Sequence, residues 1–349
     1  MGSSAVTGSA ALPEADFSPL DSGTRGTLAG RTVLLTGGTG FVGSWLTEQL
    51  FRLGPEVRLI LLSRDPDAFL QANPHYRSWT SLRLVQGDVR TWDGPLEPVD
   101  LVLHGATTAS KVMNDERPLD MVETIVHGTE RMLRLAARAG ARRFLFLSSG
   151  LAQGIQPPKV EAMEEPMTGR LDSLDPRSAY GNAKHFAEHL CLQHGQAAGF
   201  EVVVARMYAF LGPLLPLDAH FAAGNFMRDG LRGEPIRIQG DGTPLRTYLH
   251  AADMARYLWT LLARGAPGRA YNVGGADPVS IRQLADLVGG LCGVPVQVAG
   301  TPGPGLPSRY VPCMKRTREE LGLQPALGLL ESIERTLAWH RSRMERKSS

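Results

Sequence analysis

Ser149, Tyr180 and Lys184 are the residues whose types and spacing carry chemistry. In Tyr180-Gly181-Asn182-Ala183-Lys184 the phenol and the amine stand at i and i+4, on one face of a helix. A free tyrosine titrates at about 10 and is a poor base at neutral pH. A neighbouring ammonium favours the phenolate and lowers that value. Such a phenol takes a proton from a substrate hydroxyl or returns one to a ketone. Ser149 would hydrogen-bond the same substrate oxygen. The tyrosine–lysine spacing alone is common on helices; what precedes it in the chain gives it meaning.

What precedes it is Gly37, Gly40 and Gly43, spaced three apart. The β formers Val33, Leu34, Leu35 and Thr36 lead in, and an amphipathic run over 45–53 follows. The pattern is strand, tight turn, helix. Glycine accepts positive φ and lets backbone N–H groups, with those of Phe41 and Val42, approach a pyrophosphate at the positive helix end. The competing reading is an ordinary strand-to-helix turn. With a dinucleotide seated there, a positive nicotinamide ring adds to the ammonium's effect on Tyr180, and Lys184 also holds the nicotinamide ribose.

These groups need elements to place them. Residues 57–62 form the next apolar run, ending at Ser63 and Arg64. An acidic residue there favours NAD; a guanidinium suits a 2′-phosphate, so Arg64 tilts the choice toward NADP, unless it is only a solvated loop charge. A third strand, 82–85, precedes Asp88 and Val89; Asp88 accepts from the adenine amino group or caps a turn. A fourth, 99–103, ends in His104, Gly105, Ala106, Thr107 and Thr108, whose small residues let a cofactor lie close. His104 reads as a packed core histidine rather than a catalyst. A helix over 118–139, a strand over 144–147 stopping at Ser148 and Ser149, a proline-rich loop over 151–176, a helix over 178–198 and a strand over 201–205 complete the rhythm. Strands alternating with helices at this spacing imply an α/β fold with a doubly wound parallel sheet.

Beyond Arg206 the rhythm breaks. Short strands near Ile236, Tyr271 and Val296 alternate with helices near 225–231, 251–263, 280–291 and 329–343. The expected division is a flexible segment over 1–30, a dinucleotide-binding part over 31–206, and a smaller α/β lobe over 207–349, some of it returning to the first part.

The totals exclude several classes. The 349 residues are 43% hydrophobic and 21% charged, ordinary for a globular α/β protein. A net charge of +2 makes no case for nucleic acid. The three cysteines fit neither a zinc spacing nor a disulfide framework, so no metal is expected and a cytoplasmic location is the default. No apolar run approaches the roughly 20 residues that span a bilayer, and no signal peptide opens the chain.

Together the motifs resemble the extended short-chain dehydrogenase/reductase family, the nucleotide-sugar epimerases and dehydratases. The resemblance rests on residues 36–43, His104-Gly105-Ala106, Ser148-Ser149, Tyr180 to Lys184, and Arg206 with Gly212-Pro213. Gly240-Asp241-Gly242-Thr243-Pro244-Leu245-Arg246 with Asp253 resembles the family's substrate-lobe signature. It covers residues 31–343 and implies a Rossmann-type sheet and a nucleoside-diphosphate sugar as substrate. It further implies that Ser149, Tyr180 and Lys184 are catalytic and that Arg246 grips the diphosphate. Asn225, Arg309, Thr107 and Thr108 follow as further substrate contacts. The two long helices resemble the pair that makes a four-helix homodimer interface. Hydride chemistry at a hexose carbon, C4, is the implied reaction: an epimerase, with an NADPH-dependent 4-ketoreductase as the alternative. Gly150 and Leu151 stand where family dehydratases carry an acidic pair, which argues against dehydration. A cofactor sensor has no need of the proton-transfer set. Ala209, Ile125 and Ala152-Gln153-Gly154 also depart from the family pattern and bear on the sugar and its pose.

Overall fold

The structure, a computed structural model, describes residues 12–94, 97–107, 116–219 and 221–348. In chain order the first half runs α1 (Ser22–Leu28), β1 (Thr32–Thr36), α2 (Phe41–Arg52), β2 (Arg58–Ser63), α3 (Pro66–Ala72), β3 (Leu82–Gln86) and β4 (Leu101–His104). Then come α4 (Pro118–Arg138), β5 (Arg143–Ser149), α5 (Ala179–Ala198) and β6 (Glu201–Met207). The second half opens with β7 (Phe210–Leu211), α6 (Ala222–Leu231), β8 (Ile236–Ile238), β9 (Leu245–Arg246), β10 (Leu249–His250), α7 (Ala251–Arg264) and β11 (Arg269–Val273). It closes with β12 (Val279–Ser280), α8 (Ile281–Cys292), β13 (Val296–Val298), β14 (Arg309–Tyr310), α9 (Lys315–Leu321) and α10 (Leu329–Ser348).

Seven strands form one sheet in the order β11-β6-β5-β4-β1-β2-β3, every pairing parallel. Parallel sheets need cover on both faces, so their strands read as unbroken apolar runs. In β1 the alternation sorts neighbours into different cores. Val33 and Leu35 pack with Trp45, Leu46 and α7 on one face, while Leu34 packs with Ile125, Met132 and Ala187 on the other. This is the doubly wound Rossmann-type sheet. From β1 the chain steps to β2 and β3 on one side, then crosses to β4, β5, β6 and β11 on the other. The carboxyl ends of β1 and β4 therefore flank the switch point where such sheets bind ligands.

A third core gathers Met227 of α6, Ile236 of β8, Leu284 and Val288 of α8, and Ile333 of α10. Beside it, β9 lies between β12 and β14 in a three-stranded sheet. No described helix is long and apolar enough to cross a membrane.

Residues 1–30 read as a loose lead-in from composition, and from residue 12 onward the structure differs. Asp21 caps α1 by accepting from the Thr24 amide at 3.1 Å, and Arg264 of α7 reaches Asp21 at 2.8 Å. Leu12, Leu20 and Leu28 are buried in the core that α7 lines. The ordering comes from packing against a helix more than 200 residues away, which local composition does not report. The loop over 151–176 is also held down: Ile155 bridges Arg170, and Met163 bridges Pro312 just past β14.

Candidate active site

β5 ends in two serines with different employment. Ser148 Oγ donates to Glu188 Oε1 at 2.5 Å, and Glu188 grips Arg206 through bonds of 3.0 and 2.7 Å. Ser148 thus belongs to a buried polar strut. Ser149 Oγ instead accepts the Leu151 amide at 3.1 Å, lies 3.4 Å from the Tyr310 hydroxyl, and acts to lower the Tyr180 pKa. Tyr180 and Lys184 follow from the first turns of α5, and Lys184 is buried.

Sequence expects the ammonium to lower the Tyr180 pKa. The structure shows the opposite balance. Burial pushes the phenol well above its ordinary value, Tyr310 adds to the rise, and the Ser149 hydrogen bond opposes it. Lys184 Nζ stands 6.0 Å from the Tyr180 ring centre and donates to the Leu147 carbonyl at 2.7 Å. Its own pKa is lowered to about 8, because burial disfavours the charged form. The cation is close, but burial of the phenol sets the direction.

The glycine turn meets the end of β4. Gly37 has φ 75°, and a Cβ there would lie 2.7 Å from the Gly105 carbonyl carbon and 2.8 Å from the Ala106 nitrogen. At Gly43 a Cβ would come within 2.2 Å of the Gly37 oxygen. Gly40 differs: its nearest neighbour would be an ordinary 3.6 Å away, so nothing in the protein itself excludes a side chain. Gly40 is the N-cap of α2 and supplies no side-chain cap, and Phe41 and Val42 open that helix. An uncapped helix start, with free N–H groups behind a residue lacking a Cβ, suits a close phosphate. Thr107 Oγ1 is buried without a hydrogen-bond partner among the described residues; Thr108 lies outside them. These features fit a bound dinucleotide. His104 is a core histidine, bonded to Thr36 Oγ1 at 2.6 Å and Thr129 Oγ1 at 3.1 Å. Burial, aided by Lys184, lowers its pKa to about 3 and keeps it neutral.

At the end of β2, Ser63 Oγ accepts the Asp65 amide at 3.2 Å, and Asp65 caps α3 through the Ala68 amide at 2.9 Å. The carboxylate nearest the strand end is thereby committed, and Arg64 is exposed. After β3, Asp88 holds Arg90 through bonds of 3.0 and 2.8 Å and accepts the Arg90 amide at 2.9 Å. Of its two sequence readings, these are the bonds of the turn cap. The Arg90 side chain holds the Asp88 carboxyl below its ordinary pKa. Val89 is buried beside Gly128 of α4.

Arg246 and Tyr310 are register partners across β9 and β14. Arg246 Nη1 donates to the Leu245 carbonyl at 2.8 Å, no described carboxylate lies within ion-pair distance, and burial lowers its pKa. Arg309 Nε is buried without a partner among the described residues. Asn225 turns to its own helix, accepting from Arg228 at 3.3 Å. Tyr310 is the group that sequence passes over. It rests on Tyr208, ring centres 4.5 Å apart, and Tyr208 Oη donates to Gln153 at 3.0 Å. No motif announces Tyr310; strand pairing carries it to Ser149, far away in sequence.

Comparisons with known proteins bear on the family and the fold. The profile described as "NAD dependent epimerase/dehydratase family" matches residues 33–274. A relative from Arabidopsis thaliana, UDP-glucuronic acid decarboxylase 1, is 30% identical over 321 residues, 89% of this chain and 70% of its own. Among solved structures, a UDP-glucose 4-epimerase from Thermotoga maritima matches with TM-score 0.76 at 22% identity, covering 90% of this chain and 99% of that one. A dTDP-glucose 4,6-dehydratase from Streptomyces venezuelae, with NAD bound, matches with TM-score 0.76 at 24% identity, covering 90% and 98%. At those identities the structural likeness shows the fold.

Proposed function

The chain belongs to the NAD dependent epimerase/dehydratase family, and from that premise we propose that it epimerises a nucleoside-diphosphate hexose by oxidising and re-reducing one carbon, C4. The observation that carries this reading is the set of groups around Ser149. A hydroxyl, a phenol and an amine converge, while Gly150 and Leu151 fill the places where an acidic pair would serve elimination of water.

The cofactor is NAD or NADP; when bound, it takes up a hydride from the sugar carbon and returns it. The rest falls to side chains. Tyr180 accepts the hydroxyl proton and gives it back, Ser149 hydrogen-bonds the same oxygen, and Lys184 holds the ribose. Gly37, Gly40, Gly43 and the opening of α2 receive the pyrophosphate, with Val89 and Ala106 lining the same crevice. Exposed Arg64, beside an Asp65 already spent on a helix cap, favours the 2′-phosphate of NADP. Arg246 takes the substrate diphosphate, as a partly buried guanidinium with no carboxylate partner among the described residues is suited to do. Arg309, Asn225 and Thr107 are further substrate contacts. Leu119 on α4 and Phe186 and Leu192 on α5 are large exposed apolar groups, which supports a homodimer through these helices.

A second reading is favoured by the Arabidopsis relative, whose name is that of a decarboxylase. A ketone at C4 beside a carboxylate on C5 loses carbon dioxide with the same side chains in place.

Purified protein is incubated with UDP and dTDP hexoses, UDP-glucuronic acid and 4-keto sugars, with and without added NADPH. Isomers formed without net oxidation support the epimerase. Loss of carbon dioxide selects the second reading, and stoichiometric loss of NADPH selects a ketoreductase. Tyr180→Phe should cost about 10²–10⁴-fold in turnover and leave cofactor binding intact. Undiminished turnover would remove Tyr180 from its role.

A further inference from the structure

Ser149 has one hydroxyl proton and two phenols beside it. Tyr310 donates its own proton to the Met207 carbonyl at 3.2 Å, so at its 3.4 Å contact with Ser149 the serine must be the donor. Ser149 also acts on Tyr180, in the direction that stabilises its phenolate. A hydroxyl with a single hydrogen serves these two acceptors in competition.

We propose that Tyr310 is a positioning residue of the active site, competing with Tyr180 for the Ser149 proton and thereby governing how readily Tyr180 acts as a base. The inference rests on Tyr180 being the base, as read above. It deepens that reading by placing a second phenol where the chain carries neither of the acidic residues.

Tyr310 is held for this role from both sides. Its strand pairs with β9, so that it stands opposite Arg246. The next residue, Val311, donates its amide to Gln156 Oε1 at 2.9 Å and accepts the Met163 amide at 2.8 Å. The long loop therefore fixes the phenol by backbone bonds, and Tyr208 supports its ring at 4.5 Å. The groups facing the two phenols are Lys184 on α5, Arg246 on β9 and Tyr208 after β6; Arg206, Glu165 and Cys313 act on Tyr208 from behind. Burial holds both phenols above the ordinary tyrosine value, Tyr310 at about 12. Its partial negative oxygen opposes charge on Tyr180, and its claim on Ser149 withdraws a donor. Removing the hydroxyl acts in one direction through both routes.

The test needs cofactor but no sugar. Protein loaded with oxidised NAD or NADP is titrated by tyrosinate absorbance, and the Tyr180→Phe curve is subtracted to isolate Tyr180. In Tyr310→Phe, Tyr180 should ionise at a pH lower by roughly half to one unit. Tyr310→Leu should move it the same way if the phenylalanine variant folds poorly. In a Ser149→Ala background the Tyr310→Phe shift should shrink, since one of its two routes is gone. An unchanged or raised ionisation pH in Tyr310→Phe, or a full-sized shift without Ser149, overturns the proposal. If subtraction leaves no Tyr180 signal, the base reading falls along with it, whereas a clear Tyr180 signal that ignores Tyr310 sinks this inference alone.

Discussion

The glycine turn after β1 and the small sheet carrying Arg246 and Tyr310 are built by opposite rules. The turn is local. Its work is done by backbone within seven residues, Gly37 to Gly43, against one neighbouring strand end. The small sheet is assembled from distant segments: β9 and β14 meet only because the intervening lobe folds, and loop residues Gln156 and Met163 lock them down. Backbone constraints of the first kind leave a mark on residue type. Side-chain placements of the second kind leave almost none.

Substitutions can break that contrast, and the largest effect is expected in the turn. Gly43→Ala places a carbon 2.2 Å from the Gly37 carbonyl oxygen. It should cost about 3 kcal/mol or more of stability, read by urea unfolding. Gly40→Ala, with 3.6 Å of room, should cost about 1 kcal/mol or less while weakening cofactor binding. Equal losses of stability at the two positions would show that the turn is not divided between packing and ligand approach.

On the other side, Arg246→Ala should raise KM for the nucleotide sugar about 10- to 100-fold, the range for losing a hydrogen bond to a charged group. Cofactor affinity and urea midpoint should hardly move. Were cofactor affinity to fall as far as sugar affinity, the two sides would not be separable as drawn.

The smallest effect sharpens the comparison through pH. His104 lies under the turn, with its pKa lowered from 6.5 to about 3 by burial. The unfolded chain then binds a proton that the folded one refuses. Stability is full above 6.5 and is lost as pH falls from there toward 3, by at most about 1.4 kcal/mol per unit. His104→Gln should flatten that slope in urea midpoints measured from pH 7 to 5. The phenols and guanidinium of the sugar side contribute nothing in that range. An unaltered slope would assign the loss to other groups, such as His250, also lowered to about 3 by burial.

The parallel sheet was legible because each buried strand must be apolar along its whole length, as Thr32–Thr36 and Arg143–Ser149 nearly are. The glycines and the Tyr180–Lys184 spacing were legible because a turn and a helix face are set by near neighbours. Burial near α7 made residues 12–30 ordered against their composition. It also reversed the expected direction of the Tyr180 pKa, since desolvation depends on everything packed around a group.

By itself the sequence determined the order of the sheet's first six strands, the turn that must be glycine, and the pairing of a phenol with an amine. Those are consequences of backbone sterics and helical period, which act over a few residues. Only the tertiary structure decided that Asp65 is spent on a cap, that Ser148 is a strut while Ser149 faces the phenols, and that Tyr310 stands 3.4 Å from it. Each of these depends on which of several possible hydrogen-bond partners folding brings within reach, and that choice is made by chain segments remote in sequence.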